Sequence, residues 1–142
     1  MLAAVGTGTT VAIAGCALGD DRPPLDVVVE NYRDESLEVT VELFRPDGGN
    51  RESALVATED IAVPGDAVGD DVVRVEDVAT ARAYRVVATL GVDGQTVHHH
   101  YAPDCRGDDA AYDPLVFLRL TDQAGVTWGQ TRCGDDVSTR PF

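Results

Sequence analysis

Three consecutive histidines, His98, His99 and His100, are all the histidine this chain contains. On a β-strand, alternation puts His98 and His100 on one face and turns His99 to the other. Two imidazoles so placed can chelate Zn²⁺, Cu²⁺ or Ni²⁺ through a ring nitrogen of each. Closing such a metal site takes a third ligand, for which Asp104 is the nearest candidate, with Asp108 and Asp109 beyond it. The plainer reading of the run is the polar, solvent-facing edge of a hairpin. A copper centre built on Cys, His and Met is not expected, because Met1 is the only methionine.

A second constellation repeats itself. Cys105-Arg106-Gly107-Asp108-Asp109 and Cys133-Gly134-Asp135-Asp136 each set Gly-Asp-Asp close behind a cysteine. If the two cysteines bond, Asp108, Asp109, Asp135 and Asp136 gather in a small volume. Oxygen ligands on glycine-permitted turns suit a hard cation, Ca²⁺ or Mg²⁺. With no cation to hold them, the four carboxylates point to solvent and are screened by salt. Enzyme chemistry has little to build on. The serines are Ser36, Ser53 and Ser138, and no Gly-x-Ser-x-Gly elbow surrounds any of them. Neither His-Glu-x-x-His nor a glycine-rich phosphate loop ahead of a helix occurs. A non-enzymatic role is expected, and Trp128 reads as a core or sandwich-edge anchor rather than a sugar platform.

The composition sets these residues in an unusual background. The chain has 142 residues, 25 of them Asp or Glu and 11 Lys or Arg, for a formal charge of −14. All 11 bases are Arg, and 18 of the 25 acids are Asp. Nucleic acid is not an expected partner, since phosphates are bound by clustered Lys and Arg. No run of 18 apolar residues occurs, as a spanning helix requires. This lysine-free, Asp-rich usage resembles proteins of hypersaline archaea. Repulsion at −14 is tolerable where salt shrinks the Debye length to ~3 Å.

Residues 1–15 carry no charge and lead into Ile13-Ala14-Gly15-Cys16. An apolar run ending in two small residues and a cysteine resembles the lipobox of bacterial and archaeal lipoproteins. The resemblance implies a signal peptide over 1–15, cleavage before Cys16, and a lipid on its sulfur. A basic segment belongs ahead of such a run and is missing here, so either the start lies upstream of Met1 or the run is a buried N-terminal strand or helix ending in an incidental Cys16. Asp20-Asp21-Arg22-Pro23-Pro24 then reads as a stiff, polar tether, so that residues 16–24 link the anchor to a body over 25–134. With Cys16 assigned to lipid, Cys105 and Cys133 remain as a pair. An oxidising exterior predicts a disulfide between them, worth about 3 kcal/mol by chain entropy.

The body must position these groups with strands. Leu25, Val27 and Val29 alternate with Asp26, Val28 and Glu30; Leu37, Val39, Val41 and Leu43 alternate with Glu38, Thr40 and Glu42. Further strands are expected over Glu52–Val63, around Val72–Val75, over Ala83–Val92, Gln95–Tyr101, Leu115–Leu120 and Val126–Cys133. Glu76–Arg82 reads as a helical turn or a loop. Asp93-Gly94 is the strongest hairpin signal. About seven to eight antiparallel strands with turns every 8–12 residues predict an all-β sandwich, and residues 135–142 read as a flexible tail. The order Val27–Asn31, Val39–Leu43, Ile61–Pro64-Gly65 and Tyr84–Val87 resembles the immunoglobulin-like domains of halophile surface lipoproteins. That resemblance implies a lipid-anchored binding or structural module outside the membrane, with a protein or surface-layer partner. It also gives Tyr84 a role, its ring in the core and its hydroxyl on backbone. The second reading is an exported protein that binds a divalent metal through His98 and His100.

Overall fold

The computed structural model describes residues 22–91, 93–103 and 113–131. Eight strands run in chain order: β1 Pro24–Asn31, β2 Leu37–Phe44, β3 Leu55–Val63, β4 Val73–Thr80, β5 Tyr84–Leu90, β6 Thr96–Tyr101, β7 Leu115–Thr121 and β8 Gly125–Gln130. One helical turn, α1 Arg51–Ala54, leads into β3, with Asn50 and Ser53 capping each other at its start. The strands form two four-stranded sheets, β4-β1-β7-β8 and β3-β2-β5-β6. No helix among the described residues is long and apolar enough to cross a membrane.

Alternation builds the core. In β2, Leu37, Val39, Val41 and Leu43 are buried; in β5, so are Tyr84, Val86, Ala88 and Leu90. Their register matches them in rows, Val39 opposite Leu90, Val41 opposite Ala88 and Leu43 opposite Val86. In the facing sheet Val27 lies beside Val116, Val29 beside Leu118 and Asn31 beside Leu120. The apolar rows of both sheets belong to one cluster, which makes the molecule the all-β sandwich its alternation predicts. Each fully buried Val or Leu here is worth about 1.5–3 kcal/mol relative to exposure.

Three local features depart from the sequence reading. Strands pair antiparallel except at β1 and β7, which run parallel from Asp26 beside Leu115 to Asn31 beside Leu120. The expectation of antiparallel strands throughout is corrected at that pairing. Its physical setting is burial: Leu25 to Asn31 are buried on both faces of β1, the environment in which parallel pairing is found. The second departure is β4, which continues through Thr80 where a helical turn or loop was expected. Asp77 takes φ 56° and donates its N–H to Asp26 Oδ1 at 2.9 Å. That bulge shifts the register against β1 between Leu25 and Val27 and hides the alternation. The third is α1, which takes up the first residues of the expected strand over Glu52–Val63.

Two side chains fix the loops around this frame. Asn31 is fully buried at the end of β1 and spends its amide completely. It donates to the carbonyls of Glu35 and Pro64, both at 2.9 Å, and accepts from the N–H of Arg33 at 3.0 Å. Tyr84 opens β5 with its ring in the core and its hydroxyl donating to the Thr80 carbonyl at 2.7 Å.

Candidate functional site

The histidine run forms half of β6, an edge strand brought back by the Asp93-Gly94 turn. Gly94 sits at φ +69°, a conformation that favours glycine, and donates to the Leu90 carbonyl. Asp93 Oδ1 takes the Gln95 N–H at 3.0 Å. The β5/β6 register then sets His98 opposite Val87, His99 opposite Val86 and His100 opposite Arg85. Val86 is a core residue, so His99 turns inward while His98 and His100 project from the outer face, both exposed. The shared face that chelation requires is there. Beside it, directly across from His100, stands the Arg85 cation. Among the described residues no three His, Cys, Asp or Glu side chains come together to hold a metal ion.

His99 closes a seam between the sheets. Its ring stacks on Trp128 of β8 at 6.0 Å between centroids and 26° between planes. Trp128 Nε1 donates to the Val97 carbonyl at 3.2 Å, which makes Trp128 the sandwich-edge anchor its sequence position suggested. Gln130 Nε2 donates to the Ala102 carbonyl at 2.9 Å. That fixes the amide so that Oε1 faces His99 Nε2 at 3.0 Å, and Nε2 must therefore carry the proton.

Cys16, Cys105, Cys133, Asp104, Asp108, Asp109, Asp135 and Asp136 all lie outside the described residues. The lipidation site, the disulfide, the third ligand and the cation cluster therefore have no described geometry.

The structure brings together groups that sequence reading passed over. On the outer face of β3-β2-β5-β6, Phe44 is fully buried beneath two guanidinium groups, Arg51 at 4.9 Å and Arg85 at 5.0 Å from its ring centroid. Arg51 Nη2 donates to both carboxylate oxygens of Glu42, at 2.7 and 2.6 Å. Cross-strand rows run Glu42–Val87–His98 and Phe44–Arg85–His100. No local pattern foretells this, because Phe44 sits where strict alternation breaks at a shift in the β2/β3 register.

The outer face of the other sheet carries buried acids. Asp26 is bonded by Arg74, which also reaches Asp113 at 2.9 Å. Burial pulls the Arg74 guanidinium down, but its bonds to Asp113 and Asp26 outweigh this and hold it above its ordinary value. Glu30 is fully buried and accepts from Arg119 Nε at 2.7 Å. That bond raises Arg119 as well, against a smaller opposing effect of burial. The Arg119 guanidinium also lies 5.8 Å from the Tyr32 ring and 5.9 Å from that of Phe117. The only available signal was tertiary: the partners stand 48 and 89 residues apart. These pairs serve the fold, since each acid is bonded to an arginine held on the same face. Compared with known proteins, the chain matches no family model and no curated sequence.

Proposed function

We propose that the chain is an exported surface protein, held to the outer face of a cell membrane by lipid on Cys16, whose sandwich is a non-catalytic binding or structural module. The observation that carries this reading is a spacing. Strand β1 begins at Pro24, eight positions beyond Cys16. Eight residues reach at most about 29 Å, enough to carry the body past the headgroup zone of a bilayer. Pro24 already pairs with Thr80, and the Pro23 carbonyl accepts the Ala81 N–H at 2.9 Å, so the sandwich begins at Pro23 and any tether ends before it. The lysine-free, Asp-rich surface accords with a hypersaline exterior.

The placement of Tyr84 favours an immunoglobulin-like sandwich. In such domains a tyrosine near the entry to one strand packs inward and bonds a backbone carbonyl a few residues upstream. Tyr84 does the same toward Thr80. The commitment of Asp26 and Glu30 to arginines accords with a role that needs no acid–base pair. Binding then falls to exposed faces, and the partner expected is a protein or surface-layer component.

The test is fractionation of a halophilic archaeal host expressing the full chain together with any coding residues that precede it. Wild type should partition into detergent, with an N-terminal Cys16 bearing lipid mass. Cys16→Ser should leave the membrane fraction. An uncleaved polypeptide with a free Cys16 thiol in the soluble lysate overturns the reading.

A further inference from the structure

In a chain with more than two acids for every base, Arg85 makes no ion pair among the described residues, and neither does Arg45. Among the described residues, Arg51 pairs with Glu42, Arg74 with Asp26 and Asp113, and Arg119 with Glu30. Arg33 approaches Asp122 at 3.9 Å. Arg85 sits instead on the exposed face of β5 with its guanidinium against the buried ring of Phe44. Stacking of that kind restrains the head while leaving its N–H fork open to solvent. His100 stands directly across the ladder, and His98 follows two residues earlier on the same face.

We propose that Arg85, His98 and His100 form a binding site for a doubly charged oxyanion, a sulfate or phosphate group, on the outer face of this sheet. The guanidinium fork matches two oxygens of such a group bidentately. Residues i and i+2 on a strand are about 6.8 Å apart, so the two imidazoles bracket the remaining oxygens. Each neutral ring donates one N–H, and each protonated ring adds a positive charge. The other charged groups facing the patch oppose this little. Glu42 of β2 is neutralised by Arg51 of α1, Asp60 of β3 is bonded to Thr40 at 2.7 Å, and Glu38 of β2 lies on the same face two rows beyond the Glu42–Val87–His98 row. A divalent cation between His98 and His100 would meet the Arg85 charge at close range. The site deepens the binding-module reading by naming a ligand class, and its test does not depend on the state of Cys16.

Sulfate is the better probe, because it keeps both charges across the pH range and any pH dependence then belongs to the protein. The full chain is titrated with sodium sulfate at ionic strength held constant with chloride, at pH 5.5 and pH 8. The imidazole Cε1–H and Arg85 Nε–H resonances are followed by NMR. Wild type should show saturable shifts confined to Arg85, His98 and His100, with affinity about tenfold higher at pH 5.5. Arg85→Gln should weaken binding at least about tenfold at both pH values, the loss expected for a bidentate contact to a charged group. The double variant His98→Ala/His100→Ala, altered only at exposed positions, should keep weak binding and lose its pH dependence. Failure of wild type to saturate overturns the proposal. So does an Arg85→Gln protein that binds as wild type does, or a double variant that retains the full pH effect. Because this outcome leaves membrane partitioning untouched, failure here and failure of the lipid anchor are told apart.

Discussion

At the scale of single residues, the charges of this protein divide into those that hold it together and those left to the solvent. Glu30 belongs to the first kind. Its carboxylate is fully buried, Arg119 supplies its one hydrogen bond, and Oε1 has no partner among the described residues. Removing only the cation strands a charge inside, whereas removing both leaves an apolar contact. Arg119→Leu should therefore cost about 3 kcal/mol, toward the low end for a buried pair because the arginine head is partly open to water. Glu30→Leu/Arg119→Leu together should cost less than that single change. Urea unfolding of the three proteins checks the order, and a double variant weaker than Arg119→Leu would show that burial is not what makes the pair necessary. The direction of the arginine shifts fixes the pH window. Both Arg74 and Arg119 are raised above the ordinary arginine value by their carboxylate partners, so their contribution is complete below that ordinary value and is lost only as pH climbs through the folded one. Across neutral pH the cation half of each pair is constant.

Elements show why some of this was legible in the sequence and some was not. Strands β2 and β5 bury one face, and their period of two gave their core residues, with bounds off by one or two residues at the ends. Tyr84 and the Asp93-Gly94 turn were legible for the same reason, since local stereochemistry determines them. The same rule assigned Asp26 and Glu30 to solvent, and they are buried because β1 has neighbours on both sides and side chains over both faces. The His98/His100 face was predicted from alternation, but Arg85 was not, because its place beside them follows from strand register rather than sequence distance. Gly129 of β8 is a further case. It lies opposite Phe117, and a Cβ there would come within 2.2 Å of the Phe117 ring. The ring covers the glycine as aromatic residues do across exposed sheet positions. Gly129→Ala should push Phe117 aside and cost about 1–3 kcal/mol, the usual toll of overpacking. A chemical-denaturation midpoint unchanged from wild type would mean that the ring swings away freely and contributes nothing to the outer face.

The whole molecule is governed by its charge, and the two sheets meet that constraint differently. Each outer face gathers arginines against acids: Arg74 and Arg119 on one, Arg51 on the other. These pairs compensate locally, yet a formal −14 remains and acts over distances longer than any of them. At about 0.1 M salt the Debye length is ~10 Å, so carboxylates on neighbouring strands and turns still repel; at about 1 M it is ~3 Å and they do not. Screening weakens the exposed Arg51–Glu42 pair too, but exposed pairs are worth only about 0–1 kcal/mol, whereas the excess acids repel throughout the surface. Repulsion relief should win. Thermal unfolding of the full chain should therefore shift upward between these two salt concentrations, by roughly 4 °C for each kcal/mol gained in a domain of this size. Sodium and potassium chloride should act alike if screening is the cause, and a rise seen with one cation alone would point to a bound ion instead. Arg85, like Arg45, is then a cation that no carboxylate holds among the described residues, and it alone of the two lies across the ladder from His100.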